Sequence, residues 1–276
     1  MTTPVRADLA LAKHEGAGND FLVLVDVDGD AIVSDAQVRA LCDRRRGVGA
    51  DGFIRVGPGR DGADLLMELR NADAGAAEMS GNGIRCLAQA AVLAGLVSPP
   101  RFTVATAAGV RSVDYRPGPT PGRAHAVVEM GSLSLGDEEP APAPGRRARR
   151  VDVGNPHLVV LGPDPATLDV AQLAEKLAAA EPEGVNVEFV APGPDPGELT
   201  LRVVERGVGE TLACGTGSCA AAAAARSWGL VGDHVRVANP GGVLEVTLGP
   251  GDRPEARLGG PVRKVADVVV PADFFG

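Results

Sequence analysis

The chain has 276 residues, 45% of them hydrophobic and 3% aromatic, with a formal net charge of −9. That length suits two domains, each able to bury its own core. The acidic balance and scarce aromatics argue against nucleic acid or an anionic membrane surface as partner, and no apolar run is long enough to span a bilayer. The first residues, MTTPVRADLALAKHEG, lack the long apolar stretch of a signal peptide. Four cysteines in a chain of this length do not make a disulfide framework, so a reducing cytoplasm is expected.

The predicted elements are strands interleaved with few helices, an α/β (α+β) pattern. A strand is expected at 21–26, then a short helix at 35–43 with Asp35 as its N-cap. Strands follow at 53–56 and 65–69, joined by the turn-rich stretch 57–62, and a helix at 82–94. Segments 102–105 and 110–115 form a hairpin. Strands are expected at 127–130, 151–153 and 158–161, then a helix at 170–180. Strands at 185–190 and 199–204 precede a helix at 215–228, and strands at 235–237 and 243–248 close the series. The alanine run 220–225 is helical by propensity, and its small side chains suit a helix packed closely by strands. Linkers are expected at 116–123, 136–150 and 191–197, and the arginines of 146–150 are read as part of a solvated loop.

One stretch recurs. Ser80-Gly81-Asn82-Gly83 and the apolar run after it return as Cys214-Gly215-Thr216-Gly217, at an offset of 134 positions. Gly81, Gly83, Ala88, Ala90, Ala91, Gly95, Leu96 and Val97 all have identical partners at that offset. The strand before the motif and the hairpin after it recur as well. Two copies of one fold unit follow, with the motif at a loop-to-helix junction in each. A site between two such copies would offer two helix N-termini to one ligand. The first turn of a helix carries unpaired N–H donors and partial positive charge, so an anion binds there readily. A cysteine placed there is expected to have its thiolate stabilised, which makes Cys214 a candidate reactive thiol; most free cysteines are instead small buried apolar residues.

Other patterns carry less. Gly47-Val48-Gly49-Ala50-Asp51-Gly52 fits the dinucleotide spacing, but a helix precedes it and a strand follows, the reverse of the required order. No zinc spacing appears among the cysteines. His14, His125 and His234 are scattered, while His157 sits in the turn Gly154-Asn155-Pro156-His157. Lys13, Lys176 and Lys264 lie in no phosphate-cradling context, which disfavours pyridoxal phosphate.

The chain closely resembles the diaminopimelate epimerases from end to end. The resemblance rests on residues 14–21, 47–52, Arg70-Asn71-Ala72-Asp73, Gly81-Asn82-Gly83-Ile84-Arg85-Cys86, Gly154-Asn155-Pro156-His157, Gly184-Val185-Asn186-Val187, and 205–211 running into Ala213-Cys214-Gly215-Thr216-Gly217. It implies epimerisation of LL- to meso-diaminopimelate without a cofactor or metal, on the route to lysine and peptidoglycan, by a cytoplasmic homodimer. It implies two pseudo-symmetric domains, residues 1–129 with 263–276 and residues 130–262. Each is a curled, mostly antiparallel sheet around a central helix, with the site in the cleft between them. By resemblance, Cys214 and the residue at position 80 exchange the α-proton, and His157 and Glu205 tune the thiol. Asn19, Asn71, Gly81, Asn82, Asn155, Asn186, Glu205, Arg206, Gly215 and Thr216 hold the substrate, with Arg206 as the fork for the distal carboxylate. Each asparagine is equally compatible with a turn or cap.

One position departs from the family. A cysteine is expected before Gly81, and this chain has Ser80. A hydroxyl is a far poorer base than a thiolate. Three readings stay open: an introduced substitution, a natural Ser/Cys pair that still epimerises, or one-base chemistry such as elimination. A related amino-acid racemase or dehydratase and a ligand-binding homologue are the alternatives in function. A monocarboxylate would not need Arg206, and a reactive Cys214 would count against mere binding.

Overall fold

The computed structural model describes residues 8–77, 79–139, 147–179 and 181–275. The chain divides into two units, Met1–Val128 with Pro261–Gly276, and Glu129–Gly260.

In the first unit β1 (Leu9–Gly16) and β2 (Asn19–Val25) form a hairpin, followed by α1 (Asp35–Cys42), β3 (Gly52–Pro58) and β4 (Leu65–Asn71). Helix α2 (Gly81–Leu93) comes next, then β5 (Arg101–Thr106), β6 (Gly109–Pro117) and β7 (Arg123–Ser132). The strands lie side by side in chain order; β2–β3 and β4–β5 are parallel and the other pairs antiparallel. Residues 263–270 return along the outer edge of β1, Leu9 opposite Val270. Helix α2 packs against β1, β2, β3, β4 and β6, and residues 81–91 are all buried. A helix buried all round must be wrapped by its sheet, and its small side chains allow the strands to approach closely.

The second unit repeats the plan. It contains β8 (Ser134–Glu139), β9 (Arg147–Asp152), β10 (Pro156–Leu161), α3 (Val170–Ala178), β11 (Asn186–Pro192), β12 (Glu198–Glu205) and the short β13 (Gly209–Thr211). It continues through α4 (Gly215–Ser227), β14 (His234–Asn239), β15 (Gly242–Leu248) and the part of β16 (Glu255–Val270) up to Gly260. The order is β8–β9–β10–β11–β12–β14–β15–β16, with β13 on β12. Residues 215–225 of α4 are all buried among these strands.

Pairing registers carry the repeat into three dimensions. Leu65 stands opposite Val104 in the parallel β4–β5 pair, and Leu199 opposite Val237 in β12–β14. Phe21 and Val23 on β2 face Gly52 and Ile54 on β3. The matching positions on β10 and β11 are His157 and Val159 against Asn186 and Glu188.

Three expectations are corrected. Helix α1 is capped by Ser34 rather than Asp35: the Ser34 hydroxyl accepts from the Gln37 N–H at 3.3 Å, and the Gln37 side chain answers on the Ser34 N–H at 2.8 Å. Segment 136–150 is not a single loop. Its flanks are the antiparallel strands β8 and β9, while 140–146 lie outside the described residues. Arg147 and Arg150 are paired with Glu138 and with Glu139 and Glu181, so these charges lie on an outer strand pair and form ion pairs at its surface. The helix expected at 170–180 ends at Ala178, and residue 180 lies outside the described residues.

Candidate active site

Both motif helices begin the same way. Ser80 caps α2, its Oγ accepting from the Gly83 N–H at 3.0 Å. Cys214 caps α4, its Sγ accepting from the Gly217 N–H at 3.3 Å. A side chain that occupies this position takes up one of the unpaired N–H groups of the first turn. Both caps have extended backbone, φ −141° for Ser80 and −121° for Cys214.

In the first unit Asn82 is buried and linked to Arg85, a fully buried arginine. The Arg85 guanidinium donates to Asn82 Oδ1 at 2.7 Å, to the Gly81 carbonyl at 2.9 Å and to the Pro261 carbonyl at 3.3 Å. Asn82 Nδ2 lies 3.5 Å from Asn19 Oδ1, and Asn19 donates to Asp51 at 2.8 Å. Asp51 shares Arg44 with Asp20. Burial opposes the charge on Asp20, but Arg44 and Lys13 outweigh it and hold the carboxyl at about 2. Asn71 closes β4 beside Gly52. The stretch 47–52 is the turn from α1 into β3, which disposes of the dinucleotide reading.

In the second unit Cys214 is buried, with Thr216 Oγ1 3.3 Å from its sulfur. Glu205 accepts from the Thr211 hydroxyl at 2.5 Å, and its carboxyl is close enough to Cys214 for each to shift the other's titration. His157 is buried between Glu188, 2.7 Å from its Nδ1, and Asn155, 3.0 Å from its Nε2. Asn186 donates to the Pro156 carbonyl and accepts from the Arg206 N–H, each at 3.0 Å. The Arg206 guanidinium is exposed and donates to the Glu183 carbonyl at 3.1 Å, its chain lying over Gly184. A Cβ on Gly184 would stand 2.7 Å from the movable Arg206 Cδ, and the residue's φ of +73° is what favours glycine there.

The thiol departs from expectation. Helix placement was expected to lower the Cys214 pKa. Burial raises it well above the ordinary value, and the nearby Glu205 and Glu188 carboxylates add to the rise. The Thr216 hydroxyl and the Gly217 N–H pull the other way and are outweighed. Burial also disfavours the charged form of Glu205 and lifts its carboxyl above the ordinary range, against the hydrogen bonds from Thr211 and Cys214. Burial thus disfavours the charged form of both the thiol and the neighbouring carboxyl.

The residues expected from sequence therefore fall into two sets. Ser80, Gly81, Asn82, Asn19 and Asn71 belong to the first unit, and Cys214, Gly215, Thr216, Asn155, His157, Asn186, Glu205 and Arg206 to the second. Glu188 was missed. It lies within an apolar strand where a charge normally marks the solvent face, yet it is fully buried. Asp51 and Arg85 were quoted only as parts of motifs.

The fold is that of the two-unit epimerases and their structural kin. A phenazine biosynthesis protein of the PhzF family from Bacillus anthracis superposes with a TM-score of 0.77 at 14% identity, covering 95% of this chain and 99% of that one. A hydroxyproline epimerase from Agrobacterium vitis superposes at 0.73 and 18% identity, covering 98% and 94%. The diaminopimelate epimerase family model matches residues 11–135 and 149–265, and the chain belongs to that family. It is an isomerase by that membership. The diaminopimelate epimerase of Mycolicibacterium smegmatis is 42% identical over 87% of this chain and 90% of its own length. Those of Prochlorococcus marinus and Corynebacterium aurimucosum are 37% and 39% identical, over 95% and 94% of this chain and 92% and 98% of their own.

Proposed function

We propose that this isomerase interconverts LL- and meso-diaminopimelate, in the supply of lysine and peptidoglycan precursors, by moving the α-proton with its own side chains. Cys214 serves one face of the α-carbon and Ser80 the other. The N–H groups of the first turns, at Gly81-Asn82 and Gly215-Thr216, receive the α-carboxylate and hold the charge that develops on deprotonation. Asn19, Asn71, Asn155, Asn186 and Arg206 take the distal amino acid group. Glu205, close to Cys214, is the group that accepts the thiol proton when the thiolate is needed, and His157 stands by as a second tuner.

The observation that carries this reading is the cap itself. Cys214 Sγ receives the Gly217 N–H and the Glu205 carboxyl lies nearby, so a nucleophilic atom, a proton acceptor and an anion-binding helix end share one place. Membership of the family supports the substrate. The four cysteines are all free, which supports a reducing cytoplasm. Among the described residues no helix is long and apolar enough to cross a membrane. The homodimer rests on the family resemblance, and sedimentation equilibrium tests it.

The test is incubation of LL-diaminopimelate in heavy water, following α-deuterium and stereochemistry together. Incorporation with inversion is the expected result. No incorporation into either epimer sinks the reading. Incorporation without inversion would give Cys214 one-base chemistry.

A further inference from the structure

The two units differ sharply beneath their motif helices. In the first, the positions facing the first turn of α2 are apolar: Ile54 Cδ1 lies 3.3 Å from where a Cβ on Gly83 would fall, and Phe21 packs beside Gly52. In the second, the equivalent positions are Glu188 and His157. Glu188 Oε1 lies 2.7 Å from where a Cβ on Gly217 would fall and 2.7 Å from His157 Nδ1. Both side chains are fully buried, and Glu188 Oε2 has no hydrogen-bond partner.

The first unit shows that the fold accepts an apolar pair here. A buried charged or hydrogen-bonded pair generally gains no stability over an apolar pair of similar volume, and an unsatisfied carboxylate oxygen is an added cost. The polar pair therefore stands at the one helix cap that carries a cysteine for a reason other than folding. Its geometry suggests the reason. Glu188 touches both the imidazole ring and the Gly217 segment whose N–H holds the Cys214 sulfur.

We propose that Glu188 is a positioning residue of the Cys214 site: it holds the His157 ring through Nδ1, with Nε2 directed at Asn155 Oδ1, and it sets the charge beneath the first turn of α4. A carboxylate bound to one ring nitrogen fixes both the tautomer and the orientation of the other. The titratable groups facing this carboxylate are His157 on β10, Glu205 on β12 and Cys214 ahead of α4. The inference rests on the reading of Cys214 as an acid–base group. Its direction agrees with the rise in the Cys214 pKa, to which Glu188 contributes.

The test compares the full chain with Glu188→Gln and with the double variant Glu188→Ile, His157→Phe. The amide offers Nδ1 a donor or a weaker acceptor and removes the charge, while keeping the volume. Deuterium wash-in from diaminopimelate should slow by about 10–100-fold in kcat, with KM within about twofold. The rate of Cys214 alkylation by iodoacetamide, followed on its own peptide, should show its pH midpoint moved to lower pH. The ring nitrogen-15 shifts of His157 should move, because Nδ1 loses its carboxylate partner. The double variant restores the apolar pair of the first unit and should melt no lower than the parent.

A wild-type kcat together with an unmoved alkylation profile in Glu188→Gln overturns the proposal. So does a large fall in melting temperature for the double variant, because the pair would then be structural. If the parent fails to turn over diaminopimelate, the proposed substrate fails. The alkylation profile and the ring shifts still decide the role of Glu188.

Discussion

Glu188 holds in the second unit the place that Ile54 holds in the first, each against the glycine three residues after the helix cap. At Gly217 a carboxylate oxygen lies 2.7 Å from where an added methyl group would fall; at Gly83 the neighbour is a methyl carbon at 3.3 Å. Two chemically different floors therefore lie under two caps of the same backbone geometry.

The contrast makes Gly217 the less replaceable glycine. Gly217→Ala drives a methyl group into a buried carboxylate and should destabilise the fold by about 1–3 kcal/mol, the usual range for overpacking. At Gly83 the neighbours are Ser80 Cβ, Met67 Cε and Ile54 Cδ1 at 3.1 to 3.3 Å, two of them the ends of flexible chains, so Gly83→Ala should cost less. Urea unfolding of both variants checks the order, and equal losses would contradict it.

In the proposed reaction Ser80 serves one face, where its hydroxyl is the poorer base. A cysteine in its place can accept from the Gly83 N–H as Cys214 does from Gly217, so Ser80→Cys should leave the fold intact. Wash-in from the epimer that presents this face should accelerate by about 10²–10⁴-fold, the usual worth of one acid–base partner. The other epimer should change little. Equal rates for parent and variant in both directions would establish a serine-assisted two-base reaction.

Arg206 extends from a backbone anchored on Asn186, and its exposed guanidinium rests on the Glu183 carbonyl. Arg206→Ala should raise KM for diaminopimelate by about 30-fold, the equivalent of about 2 kcal/mol. The kcat for exchange should hold. Unchanged binding by calorimetry would show that the distal carboxylate goes elsewhere.

Glu205 predicts a pH dependence. Its carboxyl is raised above the ordinary value of 4.5, chiefly by burial. The native state thus holds the proton more tightly than the unfolded chain. The stability this contributes is fully present below that ordinary value and is lost as pH rises through the folded one. Glu205→Gln lacks that loss. Its melting temperature should gain on the parent as pH rises from mildly acidic toward neutral, while wash-in activity falls. A constant difference across that range would remove Glu205 as a buried titrating group.

Much of the fold could be read from the residues alone. Helices α2 and α4 were legible because mostly small and apolar residues run through them and glycine follows each, and the fixed offset tied them as copies. The hairpin of β5 and β6 was legible from alternation and its Gly109 turn. Strand β1, paired at both edges, went unassigned because its run 9–16 carries Lys13, His14 and Glu15, and β16 because Gly259-Gly260-Pro261 interrupts it. Strand β8 and the first half of β9, 147–150, passed for loop because charged residues there hide the apolar alternation of a strand.

The sequence by itself determined the caps, since the hydrogen bond from a cap side chain to the N–H three residues on is a local event that side-chain type decides. It determined the family by the same motifs. Only the tertiary structure decided what lies beneath each cap. Strand β11 is covered on one side by α4 and on the other by α3, so the alternation that usually sends a charge to solvent sends Glu188 inward. A thiol's protonation depends on burial and on charges brought from distant strands, and these reversed what the helix end alone would have done to Cys214.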